Sequence, residues 1–283
     1  MSAPPVQVGL GLLAELSLEA GVVLGLAQLL ATRLPRAEQR HRLRAAALLS
    51  LPALALLEVG VQSPRLEGPA WLLALWGAGV LACLGPLVFS LLRLARLSDR
   101  ARPGPDGCWI SEEIRVPLTW GLLRPLVLLP PSAESWPRAE LDFAVAHERA
   151  HVRRRDWAVQ LACELVCALL WFHPFAWWVR RELLLDAELA ADRQVLDGGV
   201  QPTRYARHLL ERFEGARVPV AATPGGRPSQ LGARVRASLA PAGTRRGGLL
   251  TLLLLPVLLG LGWLSPLPEA PPPDCNPTAP ESP

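Results

Sequence analysis

The sequence predicts a mainly α integral membrane protein: four transmembrane helices, with a helical domain carrying a small edge β-hairpin set between the third and fourth spans. Three observations predict it. Hydrophobic residues make up 51% of the chain, a high share for a wholly soluble protein. Four apolar stretches, at about 7–31, 45–62, 70–92 and 248–264, are long enough at ~1.5 Å per residue to cross a hydrocarbon core ~30 Å thick. Residues 93–247, between the third and fourth stretches, have balanced charge and their own periodic segments, enough for one compact domain.

The first stretch, "QVGLGLLAELSLEAGVVLGLAQLLA", is not a cleavable signal peptide, because no basic residue precedes its apolar run and the charges follow it. The loop after it, "TRLPRAEQRHRLR", and the segment after the third stretch, "RLARLSDRAR", are rich in arginine, which places both on the cytoplasmic side. The N-terminus, the short "VQSPRLEGPA" and the acidic, Pro-rich tail 265–283 then lie outside, giving an N-out, C-out topology in a bacterial inner membrane. Glu15 and Glu19, four apart in the first span, are costly in lipid; the favoured reading turns them toward the helix bundle, and Glu58 reads as interfacial.

All 29 basic residues are arginine, and the net charge is only +4. Arginine clusters beside membrane spans are explained by topology and anionic lipid, and with no nucleic-acid motif present no direct nucleic-acid partner is expected. Cys83, Cys108, Cys163, Cys167 and Cys275 form no zinc-like pairing. Cys163 and Cys167 read as packing residues one turn apart, and Cys275 in the tail as inert.

The domain opens with a turn-rich linker and then "CWISEEIRVPLTWGLLRPLVLLPPS", read as a hairpin or two short strands. Prolines in such a pattern favour an edge strand, because the missing N–H must face away from a ladder. Pro117, Leu118, Thr119, Trp120 and Gly121 are therefore the candidate edge on which an extended peptide would lie. Helical sequence follows, the third helix ending at Gly198 and Gly199. Residues 157–172, with Trp171, Trp177 and Trp178, form an aromatic-rich surface suited to the bilayer interface or the membrane bundle.

"AHERAH" carries the chemistry. His147 and His151 are i, i+4 on a helix, so one metal ion can take a nitrogen from each, and Glu148 lies beside that face, placed to work on a bound water. With five histidines in the chain, roughly 0.005 accidental HExxH matches are expected. Catalytic zinc is usually held by three protein groups, and "DAELAAD" supplies the third. Glu188 and Asp192 are again i, i+4, so that one carboxylate can ligate while the other hydrogen-bonds a ligand histidine and fixes its tautomer. The competing reading is a solvated face paired with Arg181 or Arg193.

These residues, with "RVPLTWGLLRPLVLLP" before them and "WFHPFAWWVRRELLLDAELAADRQVL" and "SQLGARVRASL" after, resemble the integral-membrane metallopeptidases of the BlaR/MecR-type antirepressor family. The resemblance covers roughly residues 93–240. It implies a gluzincin zinc protease domain with one Zn2+ per chain, His147, His151 and Glu188 as ligands, Glu148 as general base and Asp192 in support. Tyr205, His173, Arg204 and His208 are candidate oxyanion donors or substrate contacts, a structural role being the stronger reading for each. About 19 residues follow the fourth span, so the resemblance is to a member lacking the penicillin-binding sensor domain. It implies a protein substrate, a winged-helix repressor of the BlaI type, at a cytoplasmic active site. An HtpX-like quality-control protease and a non-enzymatic scaffold with a structural metal stay as alternatives. The oligomeric state also stays open, a homodimer included.

Overall fold

The computed structural model describes residues 5–62, 70–215 and 228–240. The fourth apolar stretch at 248–264, the Pro-rich tail and Cys275 lie outside the described residues, as do the side chains of Glu15 and Glu58. Three long helices come first: α1 (Pro5–Ala31), α2 (Ala37–Gln62) and α3 (Ala70–Asp99). A small sheet follows, made of β1 (Arg102–Pro103), β2 (Trp109–Ile110), β3 (Leu118–Trp120) and β4 (Leu126–Leu129). Then come α4 (Arg138–Arg154), α5 (Asp156–Leu169), α6 (Pro174–Asp197), α7 (Pro202–Gly215) and α8 (Pro228–Leu239).

The protein is thus mainly helical with a small sheet. Among the described residues one helix, Trp71–Asp99, is long and apolar enough to cross a membrane. It exposes Leu73, Leu81, Val88, Phe89 and Leu92, as a lipid-facing helix does. Among the described residues of α1 the apolar run is Leu16–Ala31. On α2, Leu43, Ala47, Leu48, Leu51 and Leu54 are buried against α1 and α6. Hydropathy counts apolar residues without saying what covers them, so a helix packed on other helices scores like one that meets lipid. Glu19 lines a small, largely apolar pocket with Leu16, Leu51, Leu54 and Leu170, on the bundle side of α1.

The core of the bundle is α6 on α2, locked by charge. Arg40 Nε donates to Asp186 Oδ1 at 2.8 Å, and Arg44 pairs with the other oxygen of the same buried carboxylate. Two arginines of the predicted cytoplasmic loop are therefore used inside the fold, on a carboxylate two residues before Glu188. Part of the aromatic surface packs on the neighbouring helices, while Phe172 and Trp178 stay exposed. The Trp171 indole fills the space over Gly79 of α3 and donates to the Trp76 carbonyl at 3.2 Å, while Trp76 donates to the Leu169 carbonyl at 3.0 Å. This reciprocal pair ties α5 to the apolar α3.

The sheet order is β1-β2-β4-β3, with β2 and β4 parallel and the other pairs antiparallel. The hairpin expected from the sequence is β3–β4, with Thr119 opposite Val127. Its turn passes through Gly121 at φ 112, where a Cβ would sit 2.6 Å from the Arg124 carbonyl oxygen, so glycine is required there. Pro117 immediately precedes β3, and among the described residues β3 pairs with β4 alone, which puts it at the sheet edge.

Candidate metal centre

α4 and α6 pack together and present His147, His151 and Glu188 to one point. His147 Nε2 lies 3.2 Å from His151 Nε2 and 3.4 Å from Glu188 Oε2, and His151 Nε2 lies 3.7 Å from Glu188 Oε1. A tetrahedral ion with bonds of ~2.0–2.1 Å separates its ligand atoms by about 3.3–3.4 Å. With one ligand atom from each residue the three donors lie within 4.8 Å of one another, close to the spacing a zinc-sized ion requires, and the donor set of two imidazoles and one carboxylate fits its chemistry.

The rear nitrogens are held as well. His147 Nδ1 sits 3.1 Å from Asp192 Oδ1, and Tyr205 Oη donates to that same oxygen at 2.7 Å. His151 Nδ1 sits 2.7 Å from Asp156 Oδ2. A carboxylate behind each ring favours a proton on Nδ1, so that when the ring is neutral its Nε2 lone pair faces the common point. Asp192 is where its i, i+4 relation to Glu188 predicts. Asp156 has no such signature, because it depends on a break in the helix: Arg155 adopts the left-handed conformation, φ 55, so α4 ends and α5 starts with Asp156 turned back onto His151. A non-glycine residue there leaves little trace in sequence.

Arg234 of α8 is the other member that sequence reasoning misses. Its Nη1 donates to Glu188 Oε2 at 2.8 Å, its Nη2 to Asp192 Oδ1 at 2.7 Å and its Nε to Asp192 Oδ2 at 2.8 Å. Neither Arg181 nor Arg193 takes this place; Arg193 pairs with Asp197. The available signal is "SQLGARVRASL", a segment that carries the family resemblance without marking which of its arginines turns inward. Arg154 likewise turns inward, to Asp156 and the Ala187 carbonyl.

The charges explain the titration of the centre. Burial by itself would lower the pKa of His147, but hydrogen bonds to Asp192 and Glu188 outweigh it and raise the imidazole to about 9. Burial works against the charge on Glu188, yet the Arg234 guanidinium and the histidines bring it down to about 2. The same balance, dominated after burial by Arg234, holds Asp192 well below the usual carboxylate range.

Glu148 is buried on α4 beside His147 and accepts a hydrogen bond from Thr119 Oγ1, 2.9 Å from Oε2. The predicted edge strand thus lies against the helix that carries HExxH. The candidate oxyanion donors are placed otherwise. His173 caps the start of α6 and contacts the Ser17 carbonyl of α1 at 3.1 Å, about 22 Å along the helix from Glu188. Arg204 stacks over Phe143, and His208 packs edge-on against the same ring. Tyr205 belongs to the centre, but behind His147. On α7 the 3.6-residue period puts Tyr205, His208 and Leu209 on one buried face, which draws these side chains into packing.

Two facing helices that offer His, His and Glu to one point, with a second glutamate beside the first histidine, define a metallopeptidase centre. The chain belongs to the BlaR1 peptidase M56 family, whose sequence pattern matches residues 60–237, more than half of its length. The regulatory protein BlaR1 of Bacillus licheniformis is 29% identical to it over 86 residues, a stretch covering 30% of this chain and 14% of that protein. Family and site together make this a membrane-associated metallopeptidase.

Proposed function

We propose that the protein is a multi-pass, integral-membrane zinc endopeptidase whose active site faces the cytoplasm and whose substrate is a transcriptional repressor of the BlaI type, cleaved in response to a signal. The observation that carries the hydrolytic reading is the donor triangle of His147, His151 and Glu188, each histidine backed by a carboxylate, with Glu148 beside it. The regulatory reading is supported by the name of the bacillar relative, a regulatory protein. Its cytoplasmic placement is supported by the arginine-rich segments that flank the predicted spans.

His147, His151 and Glu188 would hold the zinc. When bound, zinc supplies a Lewis acid that makes water a nucleophile near neutral pH and polarises the scissile carbonyl. Glu148 accepts the proton of the attacking water and passes it to the leaving amine, a general base turned general acid. The open side of β3 takes the substrate backbone as an added strand, which fixes where the scissile bond lies along α4. Asp192 and Asp156 keep both imidazoles oriented throughout.

The experiment compares wild type and Glu148→Gln expressed in the same cells under inducing conditions, with the cytoplasmic proteome searched for fragments and the purified protein assayed for zinc. Repressor fragments in wild type alone, with equal zinc in both proteins, are the expected result. Identical fragment sets would overturn the protease, and broad cleavage of unfolded membrane proteins would replace the regulatory reading with quality control.

A further inference from the structure

Thr119 and Trp120 are successive residues of a strand, so their side chains leave it on opposite faces. The Thr119 hydroxyl donates to Glu148 Oε2 at 2.9 Å and also lies 3.3 Å from the Glu148 carbonyl oxygen. A hydroxyl has one hydrogen, and of these two acceptors the carboxylate oxygen is the nearer, at 2.9 Å against 3.3 Å. On the other face, the Trp120 indole donates to Ser98 Oγ at 2.7 Å, at the end of α3, and meets Trp157 of α5 edge-on with ring centroids 6.2 Å apart. The strand is therefore wedged between the end of the apolar helix and the helix that carries HExxH. Leu97, Ile114 and Leu128 are buried around it, with Leu118 and Trp120 packed against them.

We infer that Thr119 is a positioning residue for Glu148, setting the direction of its carboxylate from the same strand that receives the substrate backbone. This rests on the reading of Glu148 as the general base. Its mechanical content is that one short strand carries two registers. Its open side aligns the peptide, and its Thr119 side chain aligns the group that must reach the attacking water. The Trp120–Ser98 bond fixes the height of both against α3. A hydroxyl that merely pinned the sheet to α4 would matter to stability and not to turnover. A hydroxyl that aims Glu148 matters to turnover after the substrate is bound.

The test uses the full chain, zinc-loaded in nanodiscs, with fluorescein-labelled casein as the cleavage probe and a dansylated peptide hydroxamate as the binding probe. Thr119→Val, which keeps the shape and removes the hydroxyl, is expected to lower kcat roughly 10-fold with KM within about twofold, and to weaken hydroxamate binding by a similar factor. Thr119→Ser is expected to restore both. In the Glu148→Gln background, Thr119→Val should cause no further loss, since the group it aims is already gone. Unchanged kcat in Thr119→Val, a rise in KM alone, or failure of Thr119→Ser to rescue would each overturn the inference. Wild-type activity in Glu148→Gln would instead overturn the general-base reading. If wild type leaves casein intact, the hydroxamate affinities of the same three proteins decide the matter alone.

Discussion

Arg234 grips Asp192 with two nitrogens, Nε to Oδ2 at 2.8 Å and Nη2 to Oδ1 at 2.7 Å, and sends its third to Glu188. One planar guanidinium thus spans two carboxylates a helical turn apart on α6, joining α8 to the metal centre. Removing it leaves two nearly buried carboxylates without their cation. Arg234→Met is expected to cost the metal-free protein about 3–5 kcal/mol, and clearly less when zinc is bound, because the ion compensates the charge on Glu188. Thermal denaturation with and without a chelator reads this as a wider gap between the two Tm values than in wild type. Arg234→Lys should resemble Arg234→Met, since a point charge cannot reproduce a three-pronged contact. An equal drop in both forms would show that Arg234 acts apart from the metal centre.

The same charges set a pH dependence. In the metal-free protein the pKa of His147 is raised from the ordinary 6.5 to about 9, so the stability it contributes is full below 6.5 and is lost as pH climbs through 9. Glu188 is lowered from 4.5 to about 2, so its contribution is present above 4.5 and is lost as pH falls toward 2. Zinc requires the neutral imidazole and competes with the His147 proton. The apparent zinc affinity should therefore rise steeply between pH 6.5 and 9, with proton release from His147 measurable at about pH 7.5 in weakly buffered solution. A flat affinity over that range would contradict the protonated metal-free state.

Much of this centre is legible in the sequence, because it is built from local periodicity. Two i, i+4 pairs, His147 with His151 and Glu188 with Asp192, need only the helical repeat to be brought onto common faces. The edge strand is legible from the placement of its prolines. Arg234, Asp156 and the Thr119 contact are not. Each depends on where a separate element docks: α8 on α6, the left-handed break at Arg155, and β3 on α4. The apolar run of α2 is legible as hydrophobic but not as to its neighbours, since burial under α6 and burial in lipid select the same residues.

Gly79 offers a test of the α3–α5 seam. A Cβ at this position would fall inside the Trp171 indole, which is held in place by its bond to the Trp76 carbonyl. The indole is rigid and cannot yield as a flexible chain would. Gly79→Val should therefore push α5 off α3, break the reciprocal Trp76 and Trp171 bonds, and destabilise the protein by about 1–3 kcal/mol. A Cβ added at Gly77 or Gly85 would meet nothing within 4 Å, so alanine at either position should be neutral. Urea or thermal unfolding in the same nanodiscs separates the three variants.

Asp156 carries the last expectation. Its Oδ2 takes His151 Nδ1 at 2.7 Å, and Arg154 pairs with both oxygens of the same carboxylate. Burial opposes its charge, but the bonds from His151 and Arg154 win and keep its pKa below the ordinary carboxylate value. An anionic acceptor behind His151 makes the front nitrogen a better ligand and fixes the ring's direction. Asp156→Asn keeps the size and removes the charge, so zinc affinity should fall roughly 10- to 100-fold, read by competition with a chromogenic chelator. Far-UV circular dichroism should remain that of wild type, because the turn at Arg155 and the helices on either side do not depend on the charge. An unchanged zinc affinity would mean that His151 is oriented by its packing on His147 alone, their rings 4.8 Å apart at 78°, and that the carboxylate serves Arg154 instead.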